Sequence, residues 1–376
     1  MNKTAKIVVG IVVVVLVIFG LSSMSKKSGT DSETVKIGFM GPLSGDTANI
    51  GQNAQAAIAI AVDEINNAGG VLGKNVEVIY EDDGCSGATA ANAVSKLINT
   101  DKVVAILGAA CSGATLGAAP IAEAAKVPML SYCSTNPTVS QAGDYIFRNV
   151  PSDFFQANYA ANYLMGKGMK NVALLTSKDD WGDGLKKAFT DAFTKAGGVI
   201  VSSDSFDPAS KDLKAQLTTI KGMNVDAVYF AGYTDPSIAG LKQAHDLGIK
   251  AQFFGADAWD DTKIWSELGT LGDGAMFTVV GTNSSADFKA KMKAKLGKDD
   301  LIYCSNYAYD GLKILAAAIN KADSVSKTAV KDALSKIKYT GGVGSAEVMF
   351  DNNGDPTTAA YIIKTAKGGK LTEVSQ

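Results

Sequence analysis

Residues 103–117 read VVAILGAACSGATLG, and the change of residue type along them defines the building unit of the chain. The apolar run Val103-Val104-Ala105-Ile106-Leu107 has strand character. It passes into a loop of glycine, alanine, cysteine and serine. A helical pattern through Ile121, Ala122 and Ala125 follows. Strand, small-residue loop and helix together make one β-α unit. The first N–H groups of a helix lack internal partners and attract anions, and small side chains let a ligand come close to the backbone. Ser112 and Gly113 therefore stand where an anion would bind, and the role of Cys111 beside them is left open.

The same alternation extends in both directions. TVKIGFM, NVEVIYED, VPMLSY, NVALLT, VIVSSDSF, DAVYFAG, AQFFGAD and GAMFTVV read as strands. Apolar-striped helices such as GQNAQAAIAIAVDEI, FFQANYAANYLMGKG and GLKKAFTDAFTKAGG separate them, and the last third holds three more helices and the strands AEVMF and AAYIIKT. Several strands are apolar throughout, as in parallel sheets covered on both faces. Regular alternation implies an α/β class with doubly wound parallel sheets, and the number of units suffices for two. Ligands of such sheets sit beyond the carboxyl ends of the strands. Seven loops in that position, MGPLSGDTANIG, DDGCSG, GAACSG, SYCSTNPTV, SKDDWGDG, AGYTDPS and GADAWDD, suggest a cleft lined by loops.

Composition narrows the function. The 376 residues suit about two domains. Hydrophobic content of 46% and charged content of 20% suit large cores. A net charge of -2 offers no basic surplus for phosphates, so nucleic acid is not expected as a partner. The single histidine, His245, lies in the polar helix end LKQAHDLGIK and reads as a surface residue. Lys3 and Lys6 precede an apolar run over 7–21, which reads as a signal peptide or membrane anchor within residues 1–30. No cysteine follows that run, which excludes a lipid-modified one, and the rest of the chain is expected outside the cytoplasm. There Cys85, Cys111, Cys133 and Cys304 suit one or two disulfides, and none has the C-x-x-C spacing of zinc or redox motifs.

Catalytic signatures are missing. No G-x-G-x-x-G opens a helix, and no phosphate-binding G-x-x-x-x-G-K-[ST] or G-x-S-x-G elbow occurs. Acidic groups at Asp82-Asp83, at Asp179, Asp180 and Asp183, and at Asp260-Asp261 read as solvated loop residues and helix caps before they read as acid-base pairs. Their spacing does not make a calcium loop. No metal, cofactor or catalytic residue is expected.

From about Val35 onward the chain resembles the leucine/isoleucine/valine-binding receptors of ABC transporters, of the type I periplasmic-binding-protein family. The segments that carry the resemblance are IGFMGPLSGDTANIGQNA, INNAGGVLGKNVEVIYEDDGC, ILGAACSGAT, PMLSYCSTNPTV, TSKDDWGDGL, DAVYFAGYTDPS, FFGADA and AEVMFDNNGD, in this order. The resemblance implies two α/β lobes joined by three hinge strands, one from 34–150 with 282–340 and the other from 151–281 with 341–376. It implies a monomeric receptor that traps a free amino acid as the lobes close and delivers it to permease subunits in the membrane.

Carried over to this sequence, the resemblance makes Ser112 and Thr135, with the backbone at Cys133 and Ser134, the binders of the ligand's carboxylate. Tyr233 and Asp257 become the ammonium site, and Trp181 packs on the ligand. Each also has a purely structural use, Ser112 as a cap or Trp181 as packing. The resemblance further implies a Cys85–Cys111 disulfide, which answers what Cys111 is for, and leaves Cys133 and Cys304 as a candidate second pair. Ile50 stands where these receptors tend to carry an aromatic residue, and Ala110 where a larger apolar residue is common. Side-chain specificity is therefore open to a branched-chain amino acid, another amino acid or an amide. A sensor module and an enzyme using the cleft aspartates are the competing functions.

Overall fold

Fourteen strands and their helices fall on three sheets in the computed structural model, which describes residues 34–297 and 302–374. The first sheet joins β1 (Val35–Gly41), β2 (Val76–Asp82), β3 (Ala105–Leu107), β4 (Met129–Ser131) and β5 (Ile146–Arg148). It is wholly parallel, in the order β2-β1-β3-β4-β5. All of β1 except Lys36 is buried, which requires cover on both faces. Helix Tyr303–Ala322 provides part of that cover, lying on β3, β4 and helix Ala48–Asn67.

The second sheet is built from β6 (Asn171–Ser177), β7 (Val199–Phe206), β8 (Ala227–Ala231), β9 (Gln252–Gly255), β10 (Met276–Val280), β13 (Tyr361–Lys367) and β14 (Lys370–Glu373). The first five run parallel, as the sequence pattern implies. The last two add an antiparallel edge that the pattern does not imply. The two-residue turn Gly368-Gly369, both at positive φ, makes β14 fold back on β13 directly, and so short a link permits only the antiparallel arrangement. Strands β11 (Tyr339–Thr340) and β12 (Glu347–Val348) form a small pair of their own. Trp259, Trp265, Phe230 and Phe277 form one aromatic core beside the second sheet.

The chain crosses between the two sheets three times: after β5, after β10 and before β13. Backbone bonds hold the crossings to one another, Asn283 N–H donating to Val343 O (2.9 Å) and Gly281 N–H to Ala360 O (2.8 Å). Residues 341–355, at the start of the segment expected in the second lobe, bond to the first-sheet half: the N–H groups of Val343 and Gly344 donate to Asp310, and Arg148 N–H donates to Gly354 O. The segment joins the second sheet at β13. The apolar run 7–21 and the signal or anchor read into residues 1–30 lie outside the described residues. Among the described residues no helix is long and apolar enough to cross a membrane.

Candidate functional site

The loops after β3 and β4 are held together by their small polar residues. Ser131 Oγ donates to Ala109 O (2.8 Å), and Ser134 Oγ to Ala110 O (3.1 Å). The hydroxyls of Thr115 and Ser134 bond at 2.7 Å, and Ser112 Oγ accepts from Asn136 N–H (3.2 Å). Helix Ser112–Ala124 therefore starts at a fixed point, with Cys111 in extended backbone before it. Two disulfides fix the same region. Cys85 is bonded to Cys111 and Cys133 to Cys304, with Cα–Cα distances of 5.3 and 5.4 Å that suit a disulfide.

A cavity opens between these loops and those of the second sheet, with about 40 Å³ open to the centre of a water molecule. That is room for roughly three waters, so the two walls stand close. The first-sheet wall is apolar apart from Ser112: Ile50, Ala110, Cys111, Cys133, Ile302 and Cys304. The opposite wall holds Trp181, Tyr233, Thr234, Asp257, Ala258, Asp260 and Asp261. Seven of the nine expected ligand residues, Ile50, Ala110, Ser112, Cys133, Trp181, Tyr233 and Asp257, thus line one space. Ser134 and Thr135 do not line it. Ser134 is buried beneath it with its hydroxyl bonded to the adjoining loops, and the hydroxyl of the buried Thr135 faces the Asp153 carboxyl.

The polar groups of the second wall differ in how they are engaged. Asp260 pairs with Lys364 (2.6 Å). Asp261 accepts from Thr234 Oγ1 (2.6 Å), Asn49 Nδ2 (2.9 Å) and Lys263 N–H (2.9 Å). The rings of Trp181 and Tyr233 pack at 4.8 Å. Burial drives the Tyr233 hydroxyl far above its usual pKa, and the charges of Asp179 and Asp257 push it further. Asp179 caps its helix by accepting from Gly182 N–H (2.8 Å), and among the described residues no group of three or more side chains could hold a metal.

Asp153, which the sequence did not single out, is the most unusual group near the site. It is fully buried, with the Thr135 hydroxyl beside its carboxyl. Burial raises its pKa well above the carboxylate range, the charge of Asp257 raises it further, and Thr135 and Arg148 pull it down. Asp153 N–H donates to Thr135 O (2.7 Å), fixing it to the loop after β4. Ser152-Asp153 opens helix Asp153–Gly166, where Ser152 accepts from Phe154 N–H, so from sequence the pair reads as an ordinary cap. Its position after the strand IFR was the available signal. Asp153 and Asp257 are two buried acids close enough to feel each other's charge, and such a pair favours a ligand that brings N–H donors and positive charge.

A family model described as periplasmic binding protein matches residues 34–370. The Leu/Ile/Val-binding protein BraC3 of Rhizobium johnstonii is 30% identical over 343 residues, 90% of this chain and 93% of that protein. Among solved structures, the branched-chain amino acid transporter substrate binding protein LivJ of Streptococcus pneumoniae, in complex with isoleucine, is 30% identical with a TM-score of 0.82, covering 91% of this chain and 99% of that one. The leucine binding protein LivK of Thermotoga maritima is 29% identical with a TM-score of 0.83, covering 91% and 98%.

Proposed function

Because the chain belongs to the periplasmic binding protein family, whose members are solute-binding proteins, we propose that its cleft captures a free amino acid as the extracytoplasmic receptor of an ABC transporter. The observation that carries this reading is the buried Asp257 on the second wall, opposite a helix start that offers Ser112, with the buried Asp153 close enough to feel its charge. A zwitterion fits both ends. Its carboxylate takes the Ser112 hydroxyl and the first N–H groups of helix Ser112–Ala124. Its ammonium lies between Asp257 and Asp153 and donates to both. Tyr233 and Trp181 cover it from the second wall.

Charge-assisted hydrogen bonds contribute about 1.5–3 kcal/mol each. Four or five of them, less the cost of ordering, suit a micromolar dissociation constant, about −8 kcal/mol. The site binds and releases its ligand unchanged. Its side-chain end favours an aliphatic group of the branched-chain type. Asp260 and Asp261 reach that end, but their carboxylates are engaged by Lys364, Thr234 and Asn49. What remains is Ile50, Ala110, Ile302 and the Cys133–Cys304 bridge. The receptor acts as a monomer, presents its closed form to permease subunits, and is tethered or exported through residues 1–30.

Calorimetric titration of the full chain in detergent against the twenty amino acids tests this. Micromolar binding of leucine, isoleucine or valine is expected, weakened at least tenfold by Asp257→Asn, with the ligand recovered intact. No binding of any amino acid, or its turnover, overturns the reading.

A further inference from the structure

Two contacts cross the cleft between the halves, and of their residues only Asp261 also lines the ligand space just described. On one flank Asn49, in helix Ala48–Asn67 of the first-sheet half, donates to Asp261 of the second (2.9 Å). On the other, the Asn136 side-chain amide donates to Asp180 O at the start of helix Asp180–Lys195. Asn136 is itself fixed, since its Oδ1 accepts from both Thr138 N–H and Thr138 Oγ1 at 2.7 Å, and it is buried. Gly184 of that helix lies directly against this amide. A Cβ at Gly184 would stand 2.5 Å from Asn136 Nδ2, 2.6 Å from its Cγ and 3.0 Å from its Oδ1. The halves reach this separation only because position 184 has no side chain.

We propose that Asn136 and Gly184 form the closing stop of the cleft, that Asn49 and Asp261 latch the opposite flank, and that these four positioning residues set ligand affinity through the population of the closed state. The proposal rests on the cleft being the ligand site. A binding-competent state populated only in part weakens apparent affinity by that fraction. Gly184 lies inside a helix, where alanine is the better residue. Gly184→Ala therefore props the cleft open while leaving the fold at least as stable.

The test compares the full chain with Gly184→Ala and Asn49→Ala. Gly184→Ala is expected to weaken amino-acid binding at least tenfold, through faster dissociation, with no loss of ligand-free melting temperature. Asn49→Ala should weaken it about threefold to tenfold. Adding Asn136→Ala to Gly184→Ala removes the obstacle and should recover part of the lost affinity. Unchanged binding by Gly184→Ala, a lowered ligand-free melting temperature, or no recovery in the double variant overturns the proposal. A ligand-free readout separates this failure from failure of the amino-acid reading. Acrylamide should quench Trp181 more strongly in Gly184→Ala than in the unsubstituted chain, with the buried Trp259 and Trp265 as constant background. Equal quenching refutes the stop even if no amino acid binds.

Discussion

Arg148, fully buried at the end of β5, forks onto Asp355, with Nε 2.6 Å from Oδ1 and Nη2 2.9 Å from Oδ2, across 207 residues of sequence. Its remaining donors reach Ser140 Oγ (2.7 Å), Asn136 O (2.9 Å) and Ser134 O (3.3 Å). One guanidinium thus joins the first crossing between the halves to the approach to the third, and it also supports the loop expected to hold the ligand's carboxylate.

Removing one partner of this pair leaves a buried charge uncompensated, which typically costs about 3–5 kcal/mol. Asp355→Ala is therefore expected to lower the unfolding free energy by about that amount, measured by urea denaturation. Arg148→Lys should fare little better, since an ammonium cannot make the two parallel bonds. If Arg148→Lys matched the unsubstituted chain in stability, the fork would be incidental.

Asp83 gives a stability effect of the opposite sign to the usual acid. It is fully buried, and its pKa rises from 3.8 to about 7, through burial first and the neighbouring charge of Asp82, despite the Cys85 N–H bond. Because the folded-state pKa lies above the unfolded one, its contribution is complete below about pH 4 and is lost as pH rises through 7. The loss is on the order of 4 kcal/mol. Asp83→Asn should therefore unfold at higher urea concentration than the parent at pH 8 and at a similar one at pH 4. Equal midpoints at both values would mean that the carboxylate is solvated in solution.

The cleft was legible because its loops carry small residues at the carboxyl ends of apolar strands, and Ser112, Trp181, Tyr233 and Asp257 meet there as those loops suggest. Asp153 was not legible, since a serine-aspartate pair at a helix start has the same appearance whether it caps the helix or faces a ligand. Its burial depends on packing against Thr135 and the tyrosines beside the second sheet, which no local pattern records. The Cys133–Cys304 bridge spans 171 residues, and only the docking of helix Tyr303–Ala322 on β3 and β4 brings its ends together. The antiparallel edge escaped because AAYIIKT as a strand does not state its direction against β10, and the Gly368-Gly369 turn decides only that β14 runs opposite to it.

The two bridges should differ in what they contribute to the fold. On the chain-entropy model, closing 26 residues stabilises by about 3.5 kcal/mol and closing 171 by about 5 kcal/mol. Replacing both Cys133 and Cys304 by serine should thus lower stability more than replacing Cys85 and Cys111. The first replacement should also weaken ligand binding, because it removes part of the apolar wall and frees Ile302 beside it. Melting curves and titration of the two double variants check both statements, and the reverse order of stability would show that the unfolded chain is not what the longer bridge restrains.

Binding itself should depend on pH through Asp153. Without ligand, burial first and the Asp257 charge next raise the pKa of its carboxyl well above the ordinary value. An ammonium placed between the two acids reverses that balance, because an opposite charge favours the ionised form. Binding below the ligand-free pKa of Asp153 therefore releases a proton, and affinity rises with pH by up to about tenfold per unit. The rise ends where Asp153 is already ionised in the free protein, and affinity falls again once the ligand's own ammonium loses its proton. Titrations in buffers of different ionisation enthalpy count the released proton directly. Asp153→Asn should bind more weakly and release none; an unchanged proton count in that variant would place the ammonium away from Asp153 and leave Asp257 as its only acid.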